Sequence, residues 1–187
     1  YGDCWVVFEP LPRGSGFEYV DKVVGGSIPR QFIPAVQKGI EDAMADGLLA
    51  GYPLVDIRAT VDDGSFHPVD SSEMAFRTAG GLAFRAAVEK CQPILLEPVL
   101  EVEVTVPEGQ TGDIMSDLNT KRGRVLGMEP SGDGQQTIRA EVPQPEMTRY
   151  AVDLRSITRG RGRFKTRFAR YEEVPAHLVP QIVADAK

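Results

Sequence analysis

Between Val55 and Asp62 apolar residues occupy every odd position and polar ones every even position. That period of two predicts a half-buried strand. Cys4-Trp5-Val6-Val7-Phe8 predicts another by its aromatic and β-branched content. Pro10 to Gly16 reads as a turn-rich connection, and Phe17 to Val24 as the next strand. From Ile33 to Asp46 the period becomes helical: Val36, Ile40, Ala43 and Met44 share a face, Pro34 suits a first turn and Gly47 a C-terminal cap. A second helix is predicted from Ser71 to about Lys90, burying Met74, Ala75, Leu82, Ala83 and Val88, with Gly80-Gly81 allowing close approach of a neighbour. Asp70 is expected to cap it while Glu73 reaches back. Ile94-Leu95-Leu96 is a candidate closing strand.

At Glu97-Pro98 the pattern restarts, with Val102, Val104 and Val106 on one face. A boundary there divides the chain into 1–96 and 97–187. The second part predicts a helix at about Gly112 to Lys121, a stop at Gly123 and strands at Arg124 to Met128 and Gln136 to Val142 around a Ser-Gly-Asp-Gly turn. A helix at about Glu146 to Ser156, a strand at Arg163 to Tyr171 and a short helix in the tail complete it. The order βαββαβ is that of a ferredoxin-like fold, so the fold class is α+β.

The charge of −6 disfavours a nucleic-acid partner only until its distribution is seen. Residues 1 to 97 hold 8 basic and 14 acidic side chains, whereas residues 98 to 187 hold 13 of each. Arg149 to Arg170 alone carries eight basic residues against one acid, Asp153. In Arg159-Gly160-Arg161-Gly162-Arg163-Phe164-Lys165-Thr166-Arg167-Phe168 every odd residue is cationic. On a strand the odd set would form one basic face while Phe164 and Phe168 point into the core. Such a stripe suits a phosphate backbone, and the preceding helix adds Arg149 and Arg155. The competing reading is a solvated edge strand that uses charge against aggregation.

The polar loop Asp63-Gly64-Ser65-Phe66-His67-Pro68-Val69-Asp70 presents one histidine between a strand and a capped helix. A hydrolytic Ser-His-Asp arrangement can be drawn there, but capping already explains its serines and acids. We therefore expect no catalytic residue. Cys4 and Cys91 lack CxxC spacing and read as two reduced core thiols; no metal signature is present. No GxxxxGK[ST] phosphate loop occurs, so no cofactor is expected in this chain. No apolar run approaches the roughly 20 residues that cross a bilayer, no signal peptide is evident, and the chain starts at Tyr1. We expect no membrane partner, a cytoplasmic location and a segment of a longer protein.

The words Glu9-Pro10-Leu11-Pro12-Arg13-Gly14-Ser15-Gly16-Phe17, Asp63 to Phe76 and Leu126-Gly127-Met128-Glu129-Pro130 occur in an order that resembles the carboxy-terminal third of bacterial translation elongation factor G. Ile33-Pro34-Ala35-Val36, Leu96-Glu97-Pro98 and Tyr150-Ala151-Val152-Asp153-Leu154-Arg155-Ser156 extend the resemblance over essentially the whole chain. It implies that residues 1–96 are a fourth domain of ribosomal protein S5 domain 2-like fold lacking its first strand, and 97–187 a ferredoxin-like fifth domain. The parent factor implied is a GTPase, using GTP and Mg in an upstream domain, that moves tRNA and mRNA through the ribosome. By the same resemblance Ser65, Phe66, His67 and Pro68 form the tip that reaches the decoding region of the small subunit. His67 would act there by contact with tRNA and mRNA. The fifth domain would lie near the stalk base and sarcin-ricin loop of the large subunit. That makes Arg149, Arg155, Arg159, Arg161, Arg163, Lys165 and Arg167 rRNA-binding candidates.

Members of the family usually read less basic where this chain has Arg163, Lys165, Arg167 and Arg170, and carry Phe-Gly where it has Thr148-Arg149. These departures suggest, as an alternative to the translocating factor, a divergent elongation-factor-G-like paralogue, a kind of relative that can favour ribosome recycling or lack a known role. A ribosomal protection protein and a freestanding RNA-binding module also fit the residues.

Overall fold

The computed structural model describes residues 1–186. The chain divides into two compact units: Tyr1–Leu95 with the tail from Pro175 onward, and Leu96–Val174.

In the first unit β1 (Asp3–Pro10), β2 (Phe17–Asp21) and β3 (Ile57–Ser65) form a three-stranded sheet in the order β1-β3-β2. β1 runs antiparallel to β3 and β2 parallel to it, the return from β2 being made through α1 (Ile33–Asp46). α2 (Glu73–Val88) packs beside α1, and α5 (Val179–Asp185) lies in the tail. Val36, Ile40, Ala59, Val61, Phe76 and Phe84 are fully buried between helices and sheet. Phe32 stacks on Phe76 at 4.9 Å, and Phe8 meets Phe84 edge-on at 5.7 Å. The helices touch backbone to backbone. A Cβ on Gly39 would stand 1.8 Å from the Arg77 carbonyl oxygen, and one on Gly80 2.3 Å from that of Val36. The pairs Arg77–Asp42 and Arg85–Asp46 close the seam at its surface.

Several sequence expectations shift here. β2 ends at Asp21, whose carboxylate accepts from the Val23 amide at 2.9 Å and turns the chain away. β3 starts at Ile57, because Asp56 has a φ of 63° and its Oδ1 binds the amides of Gly14 and Gly16, closing the Pro12 to Gly16 turn. The strand then continues to Ser65, paired with β1 as far as Asp3. The cap of α2 is Ser72, whose Oγ accepts from the Ala75 amide, and not Asp70. The buried face of α2 is Phe76, Gly80, Phe84 and Val88, while Met74 and Leu82 are 67% and 61% exposed. No closing strand forms at Ile94 to Leu96; Leu96 instead opens β4. Cys91 is exposed, not a core thiol, whereas Cys4 is half-buried and burial, with Asp3 beside it, pushes its thiol up to about 11.

In the second unit the order is β4 (Leu96–Pro107), α3 (Thr111–Thr120), β5 (Arg124–Gly132), β6 (Gln135–Pro143), α4 (Tyr150–Thr158) and β7 (Arg163–Glu173). The antiparallel sheet runs β5-β6-β4-β7, the ferredoxin-like arrangement that the βαββαβ order predicts. Val102, Val104 and Val106 of β4 and Ile138, Ala140 and Val142 of β6 bury one sheet face with Ile114, Leu118, Tyr150 and Leu154 of the helices. Asp133 and Gly134 both have positive φ, 51° and 69°, the two-residue turn that joins twisted antiparallel strands. Pro98 sits inside β4, where pairing with β6 starts only at Val99. The last predicted helix of this unit begins at Tyr150 rather than Glu146, after a 3₁₀ turn at Gln144–Met147.

Candidate nucleic-acid interface

Two surfaces gather the residues singled out in the sequence. The first is the end of β3 and the loop into α2. Ser65, still on the strand, donates to Asp3 Oδ2 at 3.0 Å and meets the Tyr1 hydroxyl at 2.6 Å. Phe66 follows as an exposed ring. The loop Phe66 to Ser71 is then closed on itself: the His67 amide donates to Ser71 Oγ at 2.8 Å, and the Ser71 amide to the His67 carbonyl at 3.2 Å. Both loop serines are thereby occupied, Ser71 by this bond and Ser72 by capping α2. Neither is poised as a nucleophile, since the imidazole is bound by backbone amides and Asp70 and by no serine hydroxyl.

The imidazole itself is held through Nδ1. That atom lies 3.3 and 3.2 Å from the amides of Val69 and Asp70, and 3.1 Å from Asp70 Oδ2. A neutral ring with bare Nδ1 accepts from the amides; a ring carrying a proton on Nδ1 donates to the carboxylate. Nε2 meets no partner among the described residues in either case, and the side chain is half exposed. His67 is thus oriented by its own loop with one nitrogen offered outward. Pro68 fixes the backbone next to it, and Val69 is the most exposed large apolar residue of the loop.

The second surface is β7 with the end of α4. β7 is an edge strand, and Arg163, Lys165 and Arg167 lie on the sheet face away from the buried valines of β4. The stripe is nevertheless two different things. Lys165 pairs with Glu103 at 2.6 Å and Arg167 with Glu101, directly across the ladder on β4. Arg170 is clamped by Glu141 at 2.8 Å and Glu172 at 2.7 Å. Glu141 also holds Arg124, and the two guanidinium groups, Arg170 first, pull its carboxyl down to about 2. In contrast Arg149, Arg155, Arg159, Arg161 and Arg163 have no acidic partner among the described residues. Four of them follow one another along the end of α4 and its turn into β7; Arg149 stands at the other end of the helix. Arg159 takes the left-handed conformation that ends α4, with φ 52°.

Phe164 points inward and meets Tyr150 edge-on at 4.9 Å, as the alternation predicts. Phe168 lies on the same face, opposite Leu100, yet is 52% exposed and pairs with Tyr171 at 5.2 Å, because the buried cluster does not extend to that end of the strand. A register shift opposite Val99 and Leu100 comes only after it and gives β7 one extra residue, Ala169. The glutamates of β4 that neutralise the stripe were missed in the sequence. Their signal was present, since Glu101 and Glu103 alternate with the valines that pattern β4. No group of three His, Cys, Asp or Glu able to hold a metal occurs among the described residues, and no described helix is long and apolar enough to cross a membrane.

Comparisons with known proteins bear on the family and the fold. The family model for elongation factor G, domain IV, matches residues 1–92, and that for the elongation factor G C-terminus matches residues 94–182. The chain belongs to the elongation factor G family. It is 51% identical over 185 residues to elongation factor G of Aquifex pyrophilus, an alignment that takes in 99% of this chain and 26% of that protein. A crystal structure from Thermus thermophilus superposes with a TM-score of 0.88 at 40% identity, covering 100% of this chain and 28% of the other. The chain therefore spans about a quarter of the length of the relatives it matches, and corresponds to the domain IV and C-terminal parts of elongation factor G.

Proposed function

We propose that these residues are the ribosome-binding portion of a translation elongation factor G that promotes GTP-dependent movement of tRNA and mRNA. The observation that carries the reading is the His67 loop: a self-closed tip on a strand end, with Nε2 unpartnered among the described residues, in a chain of this family. Ser65, Phe66, His67 and Pro68 contact the tRNA and mRNA pair in the decoding region, by shape and hydrogen bonding rather than acid-base chemistry. Arg155, Arg159, Arg161 and Arg163, free of acidic partners among the described residues, supply phosphate contacts to large-subunit rRNA near the stalk base and sarcin-ricin loop, with Arg149 at the far end of α4. GTP and Mg belong to the rest of the parent factor. The residues here do not fit them, having neither a phosphate loop nor a metal cluster among those described.

The test is single-turnover movement of mRNA on pre-translocation ribosomes, driven by the full-length factor with GTP, beside its His67→Ala variant. We expect rapid movement that slows on the order of tenfold in the variant, the loss of about 1.4 kcal/mol of contact in the transition state. GTP hydrolysis without movement would replace this reading by a paralogue with another task, ribosome recycling foremost.

A further inference from the structure

We propose that Glu101 and Glu103 of β4 limit the affinity of the second unit for RNA by holding Arg167 and Lys165 in cross-strand pairs and so withholding them from phosphates. The inference deepens the ribosome-binding reading, and takes its biological setting from it.

On β7 the open-face cations Arg163, Lys165 and Arg167 stand about 7 Å apart, two residues of strand each. The ladder places Thr105, Glu103 and Glu101 opposite them in turn. Arg163 therefore faces a neutral residue, and the other two face carboxylates. Thr105 is occupied with Thr137 across the next strand, their hydroxyls 2.9 Å apart, and adds no charge. Both paired cations remain 78% exposed, so a phosphate can reach them. What opposes it is charge. A phosphate that takes Lys165 or Arg167 leaves a carboxylate a few Å away, well inside the roughly 10 Å over which salt screens. The hydrogen bond from Lys165 lowers the Glu103 pKa and favours its ionised form. Exposed pairs of this kind add little to folding. Their effect on the surface is larger: they turn three cations in a row into one.

The test measures binding of the chain and its E101Q/E103Q variant to a short RNA duplex and to purified large ribosomal subunits across a salt series. Glutamine keeps the size of the side chain and removes its charge. The variant should bind the duplex roughly fivefold or more tightly near 0.1 M salt, with the slope of log K against log salt steeper by about 0.7 to 0.9 for each phosphate gained. An E9Q/E18Q variant makes the same change in net charge, releases Arg58 in the first unit, and should bind as the parent does. Unchanged duplex affinity in E101Q/E103Q, or an equal gain in both variants, would overturn the proposal. A gain on the duplex alone, with no large-subunit binding by either form, would uphold it and defeat the ribosome reading. If the double variant does not fold, single E103Q carries the same comparison.

Discussion

Ser72 shows how little separates two plausible caps. Asp70 and Ser72 both suit the start of a helix, and Glu73 follows either one. The loop decides between them, because the Asp70 carboxylate is drawn to His67, leaving Ser72 to accept from the Ala75 amide. Ser72→Ala should cost about 1 kcal/mol of stability through the lost cap, measured by urea unfolding. Asp70→Ala should leave α2 almost untouched, and a loss as large as that of Ser72→Ala would restore Asp70 as the cap.

At the scale of elements the packing of α1 on α2 is set by glycine. Gly39 and Gly80 allow each backbone to press on the other, and Arg77 and Asp42 then meet at the edge. Gly39→Ala would force the Arg77 carbonyl aside, with an expected loss of about 1–3 kcal/mol and a lower urea midpoint. A neutral result would mean that α1 slides freely on α2. The same closeness explains the misread face of α2. Its sequence offers two apolar stripes, one with Met74 and Leu82 and one with Phe76 and Phe84, and the glycine contact at Gly80 turns the phenylalanine stripe inward. β7 adds a second case: its alternation holds through Phe164 and Phe168, but the residues of the buried cluster cover only Phe164, and the register shift comes after Phe168, at Ala169.

At the scale of the whole molecule, many charges are paired locally although the chain carries −6. Glu141 is the tightest case, with its carboxyl drawn down to about 2 between Arg170 and Arg124. A carboxylate lowered on folding stabilises the folded state above its ordinary value of 4.5, and that contribution is lost as pH falls from there toward 2. The melting temperature should therefore drop over that window more steeply in the parent than in E141Q, followed by circular dichroism. Equal slopes would show that the pair adds nothing.

The sequence alone determined the two-part α+β plan, most element positions and the family, because these rest on local periodicity, turn residues and runs of unusual words. Tertiary structure decided which face of α2 is buried, which residue caps it, where β3 begins and ends, and which cations of the stripe lack an acidic partner. All but the cap, which near neighbours decide, depend on a partner far along the chain: Val36 and Arg77 at the glycine seam, Asp56 on the turn before β2, Glu101 and Glu103 across the ladder. Spacing within one segment records which side chains share a face, but the energy that chooses among faces and partners comes from contacts between segments.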